Sequence, residues 1–132
     1  SIAYAENRAE KIYIYSDLEE GALMARPAFR IDGKFYTDND WDRAIREGRE
    51  SSSLSKEEKR DMSLTILCYS YAVRELCLHY KREVPTVIKI IYDAKTRQVR
   101  AQYGYERLKP LSDCETEIRC RMWFDEIRAN NL

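Results

Sequence analysis

Few residues in this sequence could do chemistry. The only histidine is His79, between Leu78 and Tyr80 near the end of a long predicted helix. A lone imidazole can act as a general base, but it needs a nucleophile or an orienting carboxylate beside it. The sequence places neither, and no G-x-S-x-G elbow occurs. An imidazole interacting with a helix dipole is the simpler account. Asp38, Asp40 and Asp42 have the spacing of metal ligands, yet the glycine and distal glutamate of an EF-hand loop do not follow. A helix start attracts such acids by itself. The four glycines, Gly21, Gly33, Gly48 and Gly104, are too scattered to form a phosphate loop. The four cysteines, Cys68, Cys77, Cys114 and Cys120, contain no C-x-x-C pair of the kind that zinc sites use. Cys68 and Cys77 fall within an apolar helical pattern, where a free thiol behaves as a small hydrophobe. The expectation is reduced thiols, no catalytic residues, no metal and no cofactor.

The whole chain bounds the remaining classes. Its 132 residues suit one domain, spanning 1–132, able to bury a sizeable core without a disulfide or metal. Basic and acidic residues cancel, 23 against 23. Binding to nucleic acid needs a surplus of Lys and Arg, so it is not expected, unless Lys89, Arg97, Arg100, Arg107 and Lys109 converge in one groove. No apolar run approaches the roughly 20 residues of a membrane span, and no signal peptide is visible. Reduced cysteines then point to the cytoplasm. The chain starts at Ser1 rather than Met, so an N-terminal element could be missing. Tyrosine is abundant, ten against three Phe, and predicted strands carry Tyr13, Tyr15, Tyr36, Tyr92, Tyr103 and Tyr105. Tyrosine suits binding surfaces, because it brings area and a polar tip at low entropy cost. An aromatic sheet could also stack bases, but the paired Gly and Phe of an RNP signature are missing.

The elements that must position these residues are readable in order. Residues 11–18, KIYIYSDL, alternate as a strand. A second strand covers 23–31, with Pro27 marking an edge or a bulge, and Asp32-Gly33 turns it into a third strand at 34–37. Asp38 is expected to cap a short helix at 39–48, closed by Gly48. Ser55 and Glu58 read as a capping box opening a long helix that runs to about Arg82. Strands at 86–92 and 98–106 follow, joined by a turn at 93–97. Ser112 and Glu115 open a final helix carrying Ile118, Met122, Trp123 and Ile127. The expected fold is α+β: one mostly antiparallel sheet of four to six strands, packed against the long central helix and the C-terminal helix.

The long helix has two apolar stripes. Met62, Ile66, Tyr69, Val73, Leu76 and Tyr80 form one, expected to pack on the sheet. Leu64, Leu67, Tyr71 and Leu78 form another on nearly the opposite side, expected to meet the C-terminal helix, with Trp123 and Phe124, or another molecule.

The order of segments resembles the YezG-type immunity proteins of bacterial polymorphic toxin systems. The carrying segments are KIYIYSDLEEG, the long central helix and PTVIKIIYDAKTRQVRAQYGYERL, with Pro85, Asp93, Tyr103, Tyr105, Asp113 and Trp123 at the matching positions. The resemblance covers residues 10–130, though the family usually begins with a longer helix and connects differently across 38–53. It implies a cytosolic antidote that binds a cognate toxin domain, often a nuclease, and carries no catalytic residues. A basic, phosphate-binding toxin would be steered by acids. Glu19, Glu20, Asp38, Asp40 and Asp42, with Trp41 among them, are therefore the candidate toxin-binding residues. Leu64, Leu67, Tyr71 and Leu78 are the alternative interface. The competing readings are another adaptor or homodimeric scaffold, and an enzyme or nucleic-acid binder built on His79 or the basic residues above.

Overall fold

The alternating segment around KIYIYSDL becomes β1 (Ala9–Asp17), and both of its faces are dry. Ile12 and Tyr13 point to opposite sides of the strand, and both are buried. Only a strand inside a sheet covered on both faces can achieve this. The computed structural model describes residues 9–18, 24–49, 56–106 and 113–132. Over these residues β1 is followed by β2 (Met24–Ile31), β3 (Lys34–Thr37), α1 (Asp38–Arg46), α2 (Lys56–His79), β4 (Val87–Asp93), β5 (Gln98–Gly104) and α3 (Asp113–Asn130). The five strands form one antiparallel sheet in the order β3-β2-β1-β4-β5. The fold is α+β, as the sequence pattern leads one to expect.

Local chemistry sets the connections. Asp32 and Gly33 both adopt positive φ, 51° and 77°, as a tight two-residue hairpin requires. A Cβ on Gly33 would meet nothing within 4 Å, so glycine is needed there for its backbone angle and not for space. Between β4 and β5, Asp93 Oδ1 accepts from the N–H groups of Lys95 and Thr96 at 2.9 and 3.2 Å, and Arg97 at φ 58° completes the turn.

The helix start differs from expectation by one residue: Thr37, not Asp38, caps α1. Its Oγ1 accepts from the Asp40 N–H at 3.1 Å, while Asp40 Oδ2 accepts from the Thr37 N–H at 3.4 Å. Gly48 closes the helix as expected. Its N–H donates to Ile45 O and that of Arg49 to Ala44 O, the paired bonds of a Schellman ending. The capping boxes expected at Ser55 with Glu58 and at Ser112 with Glu115 lie outside the described residues and side chains.

Each face of the sheet has its own core. On one, α1 places Trp41 and Ala44 against Ile12, Phe29, Ile31 and Tyr36. α2 lies on this face too. The hydroxyls of Ser70 and Ser16 are hydrogen-bonded at 3.0 Å, and Ile66 is buried beside them. On the other face α3 packs Cys120, Trp123, Phe124 and Ile127 onto Tyr13, Tyr15 and Ala28. Trp123 meets Tyr13 edge-on, with ring centroids 6.5 Å apart. α3 is anchored further by an ion pair, Arg119 Nη2 to Asp17 Oδ2 at 2.8 Å, in which the Asp17 carboxylate is 0 % exposed. The sheet thus separates α3 from α2, and the expected packing of the second stripe on the C-terminal helix does not occur.

Two outcomes follow from these cores. Removing one member of a buried ion pair strands the other, at a cost of about 3 kcal/mol. Arg119→Met should cost more than Asp17→Asn in urea unfolding, because Met leaves the fully enclosed carboxylate without its cation, whereas Asn keeps an oxygen that can still accept from Arg119. The second concerns Tyr13. Burial raises its pKa above the ordinary 10.0, partly offset by the hydrogen bond from Arg30 Nε at 3.2 Å. The folded protein therefore holds this proton more tightly than the unfolded chain. The resulting stability is present below the unfolded pKa and is lost as pH rises through the folded one. Tyr13→Phe should cost about 1 kcal/mol at neutral pH. It should also lose less stability than the parent between neutral pH and pH values above the ordinary tyrosine pKa, measured by denaturant titration.

Candidate functional site

The acidic cluster does not assemble as the sequence suggests. Glu19 and Glu20 lie outside the described residues. Asp38 opens α1, and its side chain is not among those described. Asp40 is turned back on its own helix start, as above, and Arg128 of α3 reaches its Oδ2 at 3.3 Å. Arg43 lies 4.0 Å from its other oxygen. Two guanidinium groups therefore screen the charge that was to steer a basic partner. Asp42 is half-buried. Trp41 is 1 % exposed, so it cannot present an aromatic to a partner. Its ring stands edge-on to Tyr36, with centroids 5.2 Å apart, inside the core. The period of α1 explains this: Trp41, Ala44 and Ile45 share the inner side of the helix.

The long helix is the larger departure. Its buried line runs through Ile66, Ser70, Val73 and Cys77 at steps of four, three and four, with only Ile66 and Ser70 fully enclosed. The first stripe therefore does not pack on the sheet as a unit. Ile66 is buried and Val73 half-buried, but Tyr69 is 71 % exposed, and Leu76 and Tyr80 are similarly bare. In the alternative stripe Leu64, Tyr71 and Leu78 are each about half exposed, and Leu67 is partly buried. At 100° per residue, the two exposed sets lie on opposite flanks of the buried line. α2 thus shows two apolar ridges: Tyr69, Leu76 and Tyr80 on one flank, and Leu64, Tyr71 and Leu78 on the other.

The same face of the sheet continues bare beyond α2. The row Ala25, Ser16, Ile88 and Tyr103 crosses four strands, with α2 seated on it through Ser70. Tyr103 stands two strand spacings, about 10 Å, from Ser16. Val99 and Tyr103 on β5 are both more than half exposed, and Ala101 between them is exposed too.

The chemistry-bearing residues stay apart. His79 ends α2, exposed, with its ring edge-on to Tyr80 at 4.9 Å. Among the described residues no group of three or more His, Cys, Asp or Glu could hold a metal ion. Between the β4–β5 hairpin and α3 lies an open cleft of about 610 Å³, lined by Lys89, Gln102, Tyr103, Arg119 and Trp123 and also by Glu106 and Glu126. Lys89 Nζ sits 5.9 Å from the centre of the Trp123 ring. Arg100 lines a separate pocket with Lys11 and Asp93. Arg107 and Lys109 lie outside the described residues. The described members of the basic set therefore do not share one groove, and the cleft balances two cations with two carboxylates.

Cys68 corrects a further expectation. It is exposed, whereas Cys120, on the inner side of α3, is buried, and neither is bonded to another cysteine. Thiol reagents act where the sulfur is reachable. Limited alkylation of native protein, read by mass spectrometry, should modify Cys68 well before Cys120.

No helix among the described residues is long and apolar enough to cross a membrane. Comparison with protein-family models and with curated proteins finds no match for this chain.

Proposed function

We propose that this chain is an immunity protein of the YezG type. It binds and neutralises a cognate bacterial toxin domain, a nuclease, in the cytoplasm, and performs no catalysis of its own. The observation that carries this reading is the exposure of six large apolar side chains on α2: Leu64, Tyr69, Tyr71, Leu76, Leu78 and Tyr80. Large apolar side chains exposed together in number, here as two ridges of three, are uncommon on proteins that act alone. Three of the six are tyrosines, a residue type favoured at the energetic centre of interfaces. A helix with two apolar ridges suits a groove on a partner, which would grip both flanks at once. The acids Glu19, Glu20, Asp38, Asp40 and Asp42 then have at most a supporting part, since arginines already screen Asp40.

The test is to identify a toxin domain encoded beside this chain and to co-express the two. The parent protein should restore growth. Tyr69→Asp combined with Leu76→Asp should weaken toxin binding by about 30-fold or more, the scale of hot-spot loss. The double variant should unfold at the parent's urea midpoint, because both side chains are already in water. Unchanged protection by this variant would remove α2 from the interface. Nuclease or other turnover by the chain itself would overturn the reading.

A further inference from the structure

β5 ends the sheet, and among the described residues no strand pairs with its outer side. Its inner side is defined by the Thr86 N–H, which donates to Gly104 O at 2.8 Å. Even-numbered residues of β5 thus turn their backbone groups toward β4. By the alternation of a strand, the N–H and C=O groups of Val99, Ala101 and Tyr103 point outward. The side chains of the same three residues lie on the bare face of the sheet, opposite Tyr92, Ile90 and Ile88 of β4. Edge strands are usually blunted by proline, by a bulge or by charge on the apolar face. β5 has none of these. Its register against β4 runs unbroken from Gln98 to Gly104, and its one charged residue, Arg100, sits on the opposite face.

We propose that β5 pairs antiparallel with β5 of a second copy of this chain, with Ala101 on the two-fold axis. The pattern Val99-x-Ala101-x-Tyr103 is large, small, large, and it reads alike in both directions. With Ala101 at the centre, Val99 faces the second copy's Tyr103, and Arg100 faces its Gln102. Gln98 faces its Gly104. All outward backbone groups of these odd positions then meet partners, because directly opposed odd residues exchange both hydrogen bonds. The two methyl groups at the axis fit where larger side chains would collide. No like charges stand opposite each other, and each β-branched residue meets an aromatic, a favourable cross-strand pair. The apolar row Ile88–Tyr103 of one copy continues into Val99–Tyr92 of the other, joining two five-stranded sheets. A slip by one residue would oppose odd to even positions and lose the ladder. A centre at Val99 would pair only 98–100 within the strand. This contact is separate from α2 and does not depend on the toxin-binding reading.

The test is sedimentation equilibrium of the whole chain over a wide concentration range. The parent should be a dimer. Ala101→Pro should be monomeric, since it deletes only an outward N–H, a place where edge strands tolerate proline. Should that variant misfold, Val99→Lys places a charge on an exposed side chain, and it should raise the dimer dissociation constant by about tenfold or more. Gln102→Glu should tighten the dimer at low salt, because each new carboxylate faces Arg100 of the other copy. A monomeric parent at the highest concentration would overturn the proposal, as would a dimer indifferent to both Ala101→Pro and Val99→Lys. A Gln102→Glu variant with no gain would overturn the register.

Discussion

The fold depends on one constraint: β1 must be dry on both faces. Ile12 and Ile14 need cover on one side, and Tyr13, Tyr15 and Asp17 on the other. No single helix can meet both needs, so the chain must place helices on either side of the sheet. α1 and α2 go to one face and α3 to the other. Asp17 makes the demand on α3 specific. An enclosed carboxylate is costly unless a cation reaches it. Arg119 can reach it only when α3 lies along the Tyr13–Tyr15 face, which also seats Trp123 and Phe124. Arg26 and Glu117, paired at 2.7 Å, tie the same helix to β2. A polar contact thus selects the orientation in which the apolar surfaces fit.

That constraint explains what the sequence could and could not reveal. Elements set by local chemistry were legible. Asp32-Gly33 needs positive φ, Gly48 ends a helix, and alternation marks β1 and β5. The face of α2 was not legible, because its buried line passes through Ser70 and Cys77 rather than through its largest apolar residues. Tyr69, Leu76 and Tyr80 attract a hydrophobic pattern, yet the anchoring contact is a hydrogen bond between two serines. A signal existed: Ser16 is the polar break in the inward series Ile12, Ile14, Ser16, and it needs a polar partner on the covering helix. Trp41 failed for the opposite reason. Its acidic neighbours suggested a surface, while the helix period alone decides that it turns inward with Ala44.

The candidate site shifted accordingly, from charged loops to apolar secondary structure. Asp40 of α1 is used locally, in a cap and in bridges to Arg43 and Arg128. Most of the large exposed apolar residues instead lie on α2 and β5, the two elements that the cores use least. α2 is held by a narrow line, and β5 only by its ladder to β4.

This uneven cover orders stability across the sheet. β2 and β1 are buried on both faces and resist opening, whereas every side chain of β5 before Gly104 is exposed. Burial of apolar area contributes about 25 cal/mol per Å², so β5 has little to lose by fraying. Local opening should therefore begin there and stop at β4, where Ile88 is buried and Lys89 rests on Trp123. A bare strand that opens easily is a liability alone and an advantage in a complex. Each outward N–H and C=O satisfied by a neighbour, and each methyl removed from water, adds stability where the isolated domain has least. The cores are already complete without that neighbour, because β1 is closed on both sides by residues of its own chain. Binding at α2 or at β5 can therefore add order at the periphery without rearranging the centre, so a partner need not supply the free energy of refolding.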